Sequence, residues 1–276
     1  MSKTAIPYHR GYSSSVEGTT QGDPIAMAIY AIAVIPLMLM VLEETKQLQN
    51  KQTKMAAYAD DLSAGGNISN LKFWWDSLNM IGPKFGYFPE ASKCWLITKS
   101  KYKDDAEQIF TGSNIPITTE GKRHLGAVIG NKKHKEEYVY EKVTSWYNEL
   151  ILLSEIAKIE PHAAYCCFVN GYKHKLTYYM RTIPEISHLL IPIEDVIRTK
   201  FIPAITNGVF VSDEERIILS LPPKYGGLGL PIFPKISNDE YANSVYITTK
   251  LTDNIVNQNY RYEGDSELNK KKQNQK

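Results

Sequence analysis

The polar and apolar positions open without a period. Residues 1–16 are polar and rich in serine, so a frayed start is expected. The pattern then reverses: residues 25–42 are an uncharged apolar run of 18, introduced by Gly22-Asp23-Pro24 and closed by Glu43-Glu44. Asp23-Pro24 is a helix start, and the run predicts one long helix to about Gln47. Residues 55–59 then read as a strand, and Asp60-Asp61 sits where the chain must turn before residues 62–64 return toward Gly65-Gly66. This predicts a hairpin with acids at its tip. Leu71, Trp74, Trp75 and Leu78 recur at helical spacing. Asn67 or Ser69 can cap that helix, which should run through Met80 until Gly82-Pro83 stops it. Residues 95–98, 108–110 and 124–129 read as further strands.

After Asn131-Lys132-Lys133 the period becomes helical, through Val139, Val143, Trp146, Leu150, Leu153 and Ile156, until Glu160-Pro161 ends it. Second and third helices are expected over 162–179 and 193–201, with Pro184, Pro192 and Pro203 as punctuation. The glycine-dense residues 226–230 lack the strand-to-helix context of a phosphate loop and read as a turn permitting close packing. Beyond Asp239 the chain grows polar and ends in a lysine-rich stretch too poor in apolar residues to order itself. The organisation expected is a start over 1–16, a mixed region over 17–130, a helical region over 131–236 and a disordered tail over 237–276.

Composition adjusts this picture little. With 43% hydrophobic and 22% charged residues the chain is ordinary for a globular protein. Its 32 basic against 30 acidic residues leave a net charge of +2, so any basic surface must be local. Three cysteines, two of them adjacent, argue against a secreted disulfide framework, and no signal-type apolar stretch begins the chain. An intracellular protein, nuclear or cytoplasmic, is expected. Cys166-Cys167 near His162 and His174 lack the spaced pairs of a zinc site and read as buried small side chains. The apolar run is close to the roughly 20 residues that span a bilayer. Pro36 and four alanines inside it, its acidic end and its polar start favour a buried core helix instead, and no membrane partner is expected.

Chemistry concentrates at Asp60 and Asp61. Adjacent carboxylates beside apolar residues repel unless a cation joins them, and Mg²⁺ with hard oxygen ligands is the natural one. A solvated turn is the commoner use of such a pair. The context changes the balance. Tyr58-Ala59-Asp60-Asp61 resembles the Tyr-x-Asp-Asp signature of reverse transcriptases, and upstream Gly18-Thr19-Thr20-Gln21-Gly22-Asp23-Pro24 resembles that family's Gln-Gly motif before a long helix. Gly86-Tyr87-Phe88-Pro89 through Ser92-Lys93 is similar to its glycine-to-lysine motif, and His124-Leu125-Gly126 to its primer-grip turn. Residues 226–230 are similar to enzymes of the non-LTR, LINE-like retrotransposon kind.

The resemblance implies an α+β fold: part of a polymerase palm, a short antiparallel sheet with packed helices, followed by an α-helical thumb. It implies RNA-directed DNA polymerase chemistry on an RNA/DNA primer-template and dNTP with two Mg²⁺ ions. Asp60 would ligate the metals and Asp61 support the carboxylate cluster, while Lys93 would lie near the triphosphate. Gln21 and Gly22 would line the nucleotide, Tyr58 would pack near the primer end, and His124, Leu125 and Gly126 would brace the primer backbone. Lys132, Lys133, Lys135, Lys173 and Lys175 are candidate phosphate contacts, which need only positive charge within reach. One departure matters. Family members carry a further catalytic aspartate before the Gln-Gly motif, and residues 1–16 contain none. An incomplete metal site, weak or inactive alone, is therefore expected, with a non-catalytic nucleic-acid or partner-binding role as the alternative.

Overall fold

The computed structural model describes residues 23–46, 53–58 and 61–259, together with the backbone of 4–8 and 11–15. It combines helices with four two-stranded sheets, α+β in the general sense. Two compact units divide it. One comprises Met1–Cys94, Asp104–Pro116 and Leu251–Lys276, the other Trp95–Lys103 and Ile117–Lys250.

In the first unit the expected frayed start is instead a hairpin of β1 (Thr4–Tyr8) and β2 (Gly11–Ser15), with Thr4 opposite Ser15. Thr4, Ile6, Tyr8 and Tyr12 favour extended backbone, which the serine-rich composition masked. The long helix α1 (Ala26–Lys46) begins as expected: the Asp23 carboxylate accepts from the Ile25 N–H at 2.9 Å. Its burial does not follow the expectation. Leu37, Val41, Leu42 and Thr45 are buried, but Ile25, Met27, Ile29, Ile32, Ile35, Leu39 and Met40 are exposed. Among the described residues the apolar partners of this helix are Leu78 and Ile81, with Leu62, Trp74 and Tyr87 at the margin, and they reach only its second half. It is the one described helix long and apolar enough to cross a membrane.

Strands β3 (Lys54–Tyr58) and β4 (Asp61–Gly65) form the expected antiparallel hairpin, with Tyr58 opposite Asp61. Helix α2 (Ile68–Ile81) matches its predicted ends: the Asn67 side chain accepts from the Ser69 N–H at 2.9 Å, and Gly82 closes it. Such a cap contributes about 1 kcal/mol. A Cβ at Gly82 would lie 2.5 Å from the Tyr87 carbonyl oxygen, so only glycine lets the chain fold back there. Residues 108–110, expected as a strand, belong instead to helix α3 (Lys103–Ile109) and the residue after it, because Asp104 and Asp105 suit a helical first turn.

In the second unit β5 (Leu96–Ile97) pairs parallel with β6 (Ile117–Thr118). Residues 124–129 are not one strand. They are the bend and flanks of a hairpin between β7 (Gly121–His124) and β8 (Ala127–Gly130). The helical block follows: α4 (Lys132–Ala157), then α5 (Pro161–Cys167) running through a π-helical turn, Phe168–Tyr172, into α6 (Lys173–Thr182). Next come α7 (Ile191–Val196), a second π-helical turn, Ile197–Phe201, and α8 (Ile202–Ile205). Phe168 and Phe201, one from each π turn, stack at 4.9 Å in the core. Val128 of β8 is buried in this same cluster with Val139, Val143 and Leu150, so the β7–β8 hairpin groups with the helices although the sequence placed a boundary near Asn131.

Helix α9 (Asp213–Ser220), unseen in the sequence, starts at a capping box between Ser212 and Glu215. Residues 226–230 form the expected tight turn: a Cβ at Gly227 would lie 2.0 Å from the Leu221 carbonyl oxygen. Helix α10 (Phe233–Val256) occupies much of the expected tail, its polar residues being spaced by Ile236, Tyr241, Val245 and Ile247. Residues 260–276 lie outside the described residues.

Candidate functional site

The carboxylate hairpin is positioned by burial on one side of β3. Thr53 and Met55 are buried, and Trp74 of α2 directs its indole N–H to the Met55 sulfur at 3.3 Å. The backbone of Met55 is also held from its other side, since Gln258 donates from its amide to the Met55 carbonyl at 3.0 Å and accepts from the Met55 N–H at 3.3 Å. A side-chain amide thus takes the place of a strand partner along this edge. Leu62 of β4 packs on the α1 and α2 cluster. The strands therefore cannot slip without exposing Met55 or Leu62, and that register leaves Tyr58, 69% exposed, facing an exposed Asp61.

The expected residues are distributed as follows. Tyr58, Asp61 and Lys93 lie in the first unit, and His124, Leu125 and Gly126 in the second. Gln21, Gly22 and Asp60 lie outside the described residues. Asp61 begins the returning strand rather than sitting at the tip. Gly86 takes the left-handed φ of 70° that ends the short 3-10 turn Gly82–Phe85, and Phe88 beside it is exposed. Lys93 is exposed at the end of another short turn, Ala91–Lys93, whose start is held by Glu90 accepting from the Ser92 hydroxyl at 2.8 Å. The Ser92 hydroxyl and N–H, and then the Lys93 charge, hold the Glu90 carboxyl below its usual range.

Among the described residues, no three His, Cys, Asp or Glu side chains gather where they could share a metal ion. Asp60, the neighbouring carboxylate of the motif, lies outside the described residues. Nor are the adjacent cysteines buried as expected. Cys167 is exposed and Cys166 half-buried, 4.0 Å from the His162 ring nitrogens, because the helix turns its apolar face through Ala164 and Phe168 instead.

The primer-grip residues form the more tightly built site. His124 pairs opposite Ala127, leaving Leu125 and Gly126 as a two-residue bend at φ 48° and 84°. Both values are left-handed, as a tight hairpin of this type requires, and leucine pays a steric cost there that glycine does not. Two tyrosines from the helices hold the bend. Tyr138 of α4 donates to the Gly126 carbonyl at 2.8 Å, and Tyr178 of α6 donates to the Leu125 carbonyl. Their rings belong to a cluster in which Tyr179 meets Trp146 edge-on at 4.8 Å, Tyr178 at 5.4 Å and Tyr138 at 6.2 Å. Burial, and then its interaction with the Tyr138 hydroxyl, pushes the Tyr179 phenol up to about 12. On the same hairpin Lys122 lies over the Trp95 ring at 3.7 Å, and Arg123 is exposed. The residue pattern read this stretch as a strand, the resemblance alone pointed to a Leu-Gly turn, and neither gave the two tyrosines, which carry no local signal.

Three of the candidate phosphate lysines pair with glutamates. Lys132 and Lys133 each lie 3.8 Å from a glutamate one helical turn on, and Lys175 bonds Glu149 at 2.5 Å. Exposed pairs of this kind contribute little and exchange readily with other anions. No protein-family model, curated protein or solved structure matches the chain.

Proposed function

We propose that this chain is part of a reverse transcriptase of the non-LTR retrotransposon kind, a partial palm with a helical thumb that holds primer-template. The observation that carries the reading is the β3–β4 register. It sets Tyr58 opposite Asp61, the first and last residues of the Tyr-Ala-Asp-Asp signature. The bend at Leu125 and Gly126, held by two hydroxyls, supports the primer-grip role independently. In this reading Asp60 and Asp61 hold Mg²⁺, which would stabilise the attacking and leaving oxygens of nucleotidyl transfer. Lys93 faces the nucleotide phosphates, Gln21, Gly22 and Tyr58 border the nucleotide, and His124 to Gly126 brace the primer.

A second reading keeps the fold without the catalysis: a module that only binds nucleic acid or a protein partner. Binding and extension separate the two. Both readings with nucleic acid predict primer-template affinity that falls steeply with salt. Magnesium-dependent extension that Asp60→Ala abolishes supports the polymerase; tight binding with no extension supports the module. Absence of salt-dependent binding contradicts both nucleic-acid readings.

A further inference from the structure

We propose that His162 and Cys166 are half of a zinc site, which a second copy of this chain completes by contributing the same two residues. Zinc would then join two copies through their helical units, whatever chemistry the carboxylate hairpin performs.

Residues four apart on an α-helix stand one above the other. Helix α5 keeps regular α geometry from Pro161 to Cys167, before the π turn begins at Phe168. It therefore brings the Cys166 sulfur to 4.0 Å from both His162 ring nitrogens. A tetrahedral zinc ion, with bonds of about 2.3 Å to sulfur and about 2.0 Å to nitrogen, holds two such atoms about 3.6 Å apart. A small turn of the exposed imidazole about its Cβ–Cγ bond closes the difference and aims one nitrogen at the ion. Thiolate with imidazole is a zinc donor set, whereas magnesium and calcium take oxygen. Cys167, also exposed, lies about 100° further round the helix and is not part of the pair.

Structural zinc takes four ligands. Among the described residues no three His, Cys, Asp or Glu side chains gather, so α5 supplies two donors and no more. A two-fold pair of chains presents the same patch twice, which makes a closed set of two cysteines and two histidines. The neighbouring surface suits such a contact. Ile159, three residues before His162, is 80% exposed, and Ile156 before it is 53% exposed. Contact between copies removes this apolar area from water. As each Zn–S bond forms, the Cys166 thiol gives its proton to solvent, so two protons leave per ion and no electron moves.

The test uses the full chain in a reductant that is not a thiol, with Zn²⁺ alone as ligand. Light scattering is expected to show the mass doubling from 31.3 kDa with zinc and returning with chelator. Metal analysis should give one zinc per two chains, and Co²⁺ in its place should show the near-ultraviolet absorption of a cobalt–thiolate bond. Cys166→Ser and His162→Gln are each expected to lose the zinc, the absorption and the dimer, and Cys167→Ser to keep all three. If a variant fails to fold, the wild-type stoichiometry and mass still decide. No zinc binding, one ion per chain with no change of mass, a dimer indifferent to chelator, or loss of binding in Cys167→Ser overturns the proposal.

Discussion

The Tyr138 hydroxyl donates to the Gly126 carbonyl at 2.8 Å and thereby fixes the second residue of a left-handed bend to the first turns of α4. A contact across 12 residues that no periodicity announces is what gives this hairpin its shape. It follows that substitutions within the bend have opposite signs. Gly126→Ala places a Cβ at a φ of 84° and 3.3 Å from the Tyr178 hydroxyl, and is expected to cost about 1–2 kcal/mol. Leu125→Asn puts a residue tolerant of left-handed backbone at a φ of 48° and is expected to gain about 0.5–1 kcal/mol. Urea unfolding midpoints measure both.

Arg216 is buried, and its guanidinium meets both Glu194 oxygens at 2.7 and 2.8 Å and the Leu230 carbonyl at 2.8 Å. It joins α7 and α9 to the glycine turn. Removing one partner leaves the other charge unpaired in the core, so Arg216→Ala is expected to destabilise by about 3–5 kcal/mol. Glu194→Gln, which retains one acceptor oxygen, should cost less. Chemical denaturation of the two variants checks the order.

Alkaline pH should weaken the second unit. Burial raises the Tyr172 phenol well above its ordinary range, and Tyr179 rises from 10.0 to about 12. A raised pKa means the folded state retains protons that the unfolded chain has lost. The stability these phenols contribute is complete below about pH 10 and declines as pH climbs toward 12. Thermal scans between pH 8 and 12 should be flat at first and fall above about pH 10; Tyr179→Phe should reduce that fall.

Asn67 caps α2 and so holds the helix that packs under the carboxylate hairpin. Asn67→Ala is expected to cost about 1 kcal/mol, while Asn67→Asp should be nearly neutral. Circular dichroism during urea unfolding reads both.

What the sequence made legible was local. Asn67 and Gly82 bracket α2, Asp23 starts α1, and the apolar residues on either side of Asp60-Asp61 announce a hairpin. The misreadings share a different cause. An uninterrupted apolar helix looks the same whether its neighbours cover it or not, so the exposure of Ile32 and Ile35 could not be read from α1 itself. The seven-residue α3 is too short to display a period. The Leu125-Gly126 bend lacks the Asn-Gly signal of its turn type because its conformation is imposed from Tyr178, 53 residues on. The tail of α10 looked polar because only a narrow stripe of it is apolar.

The polymerase reading requires a divalent ion at the Tyr58–Asp61 segment. Fe²⁺ substituted for Mg²⁺ and supplied with peroxide and ascorbate generates hydroxyl radicals that cut the backbone beside a bound ion. Scission of the wild-type chain is expected near residues 58–61 in the presence of primer-template and dNTP, suppressed by excess Mg²⁺ and lost in Asp60→Ala. Scission elsewhere, or an unchanged pattern in that variant, would contradict it.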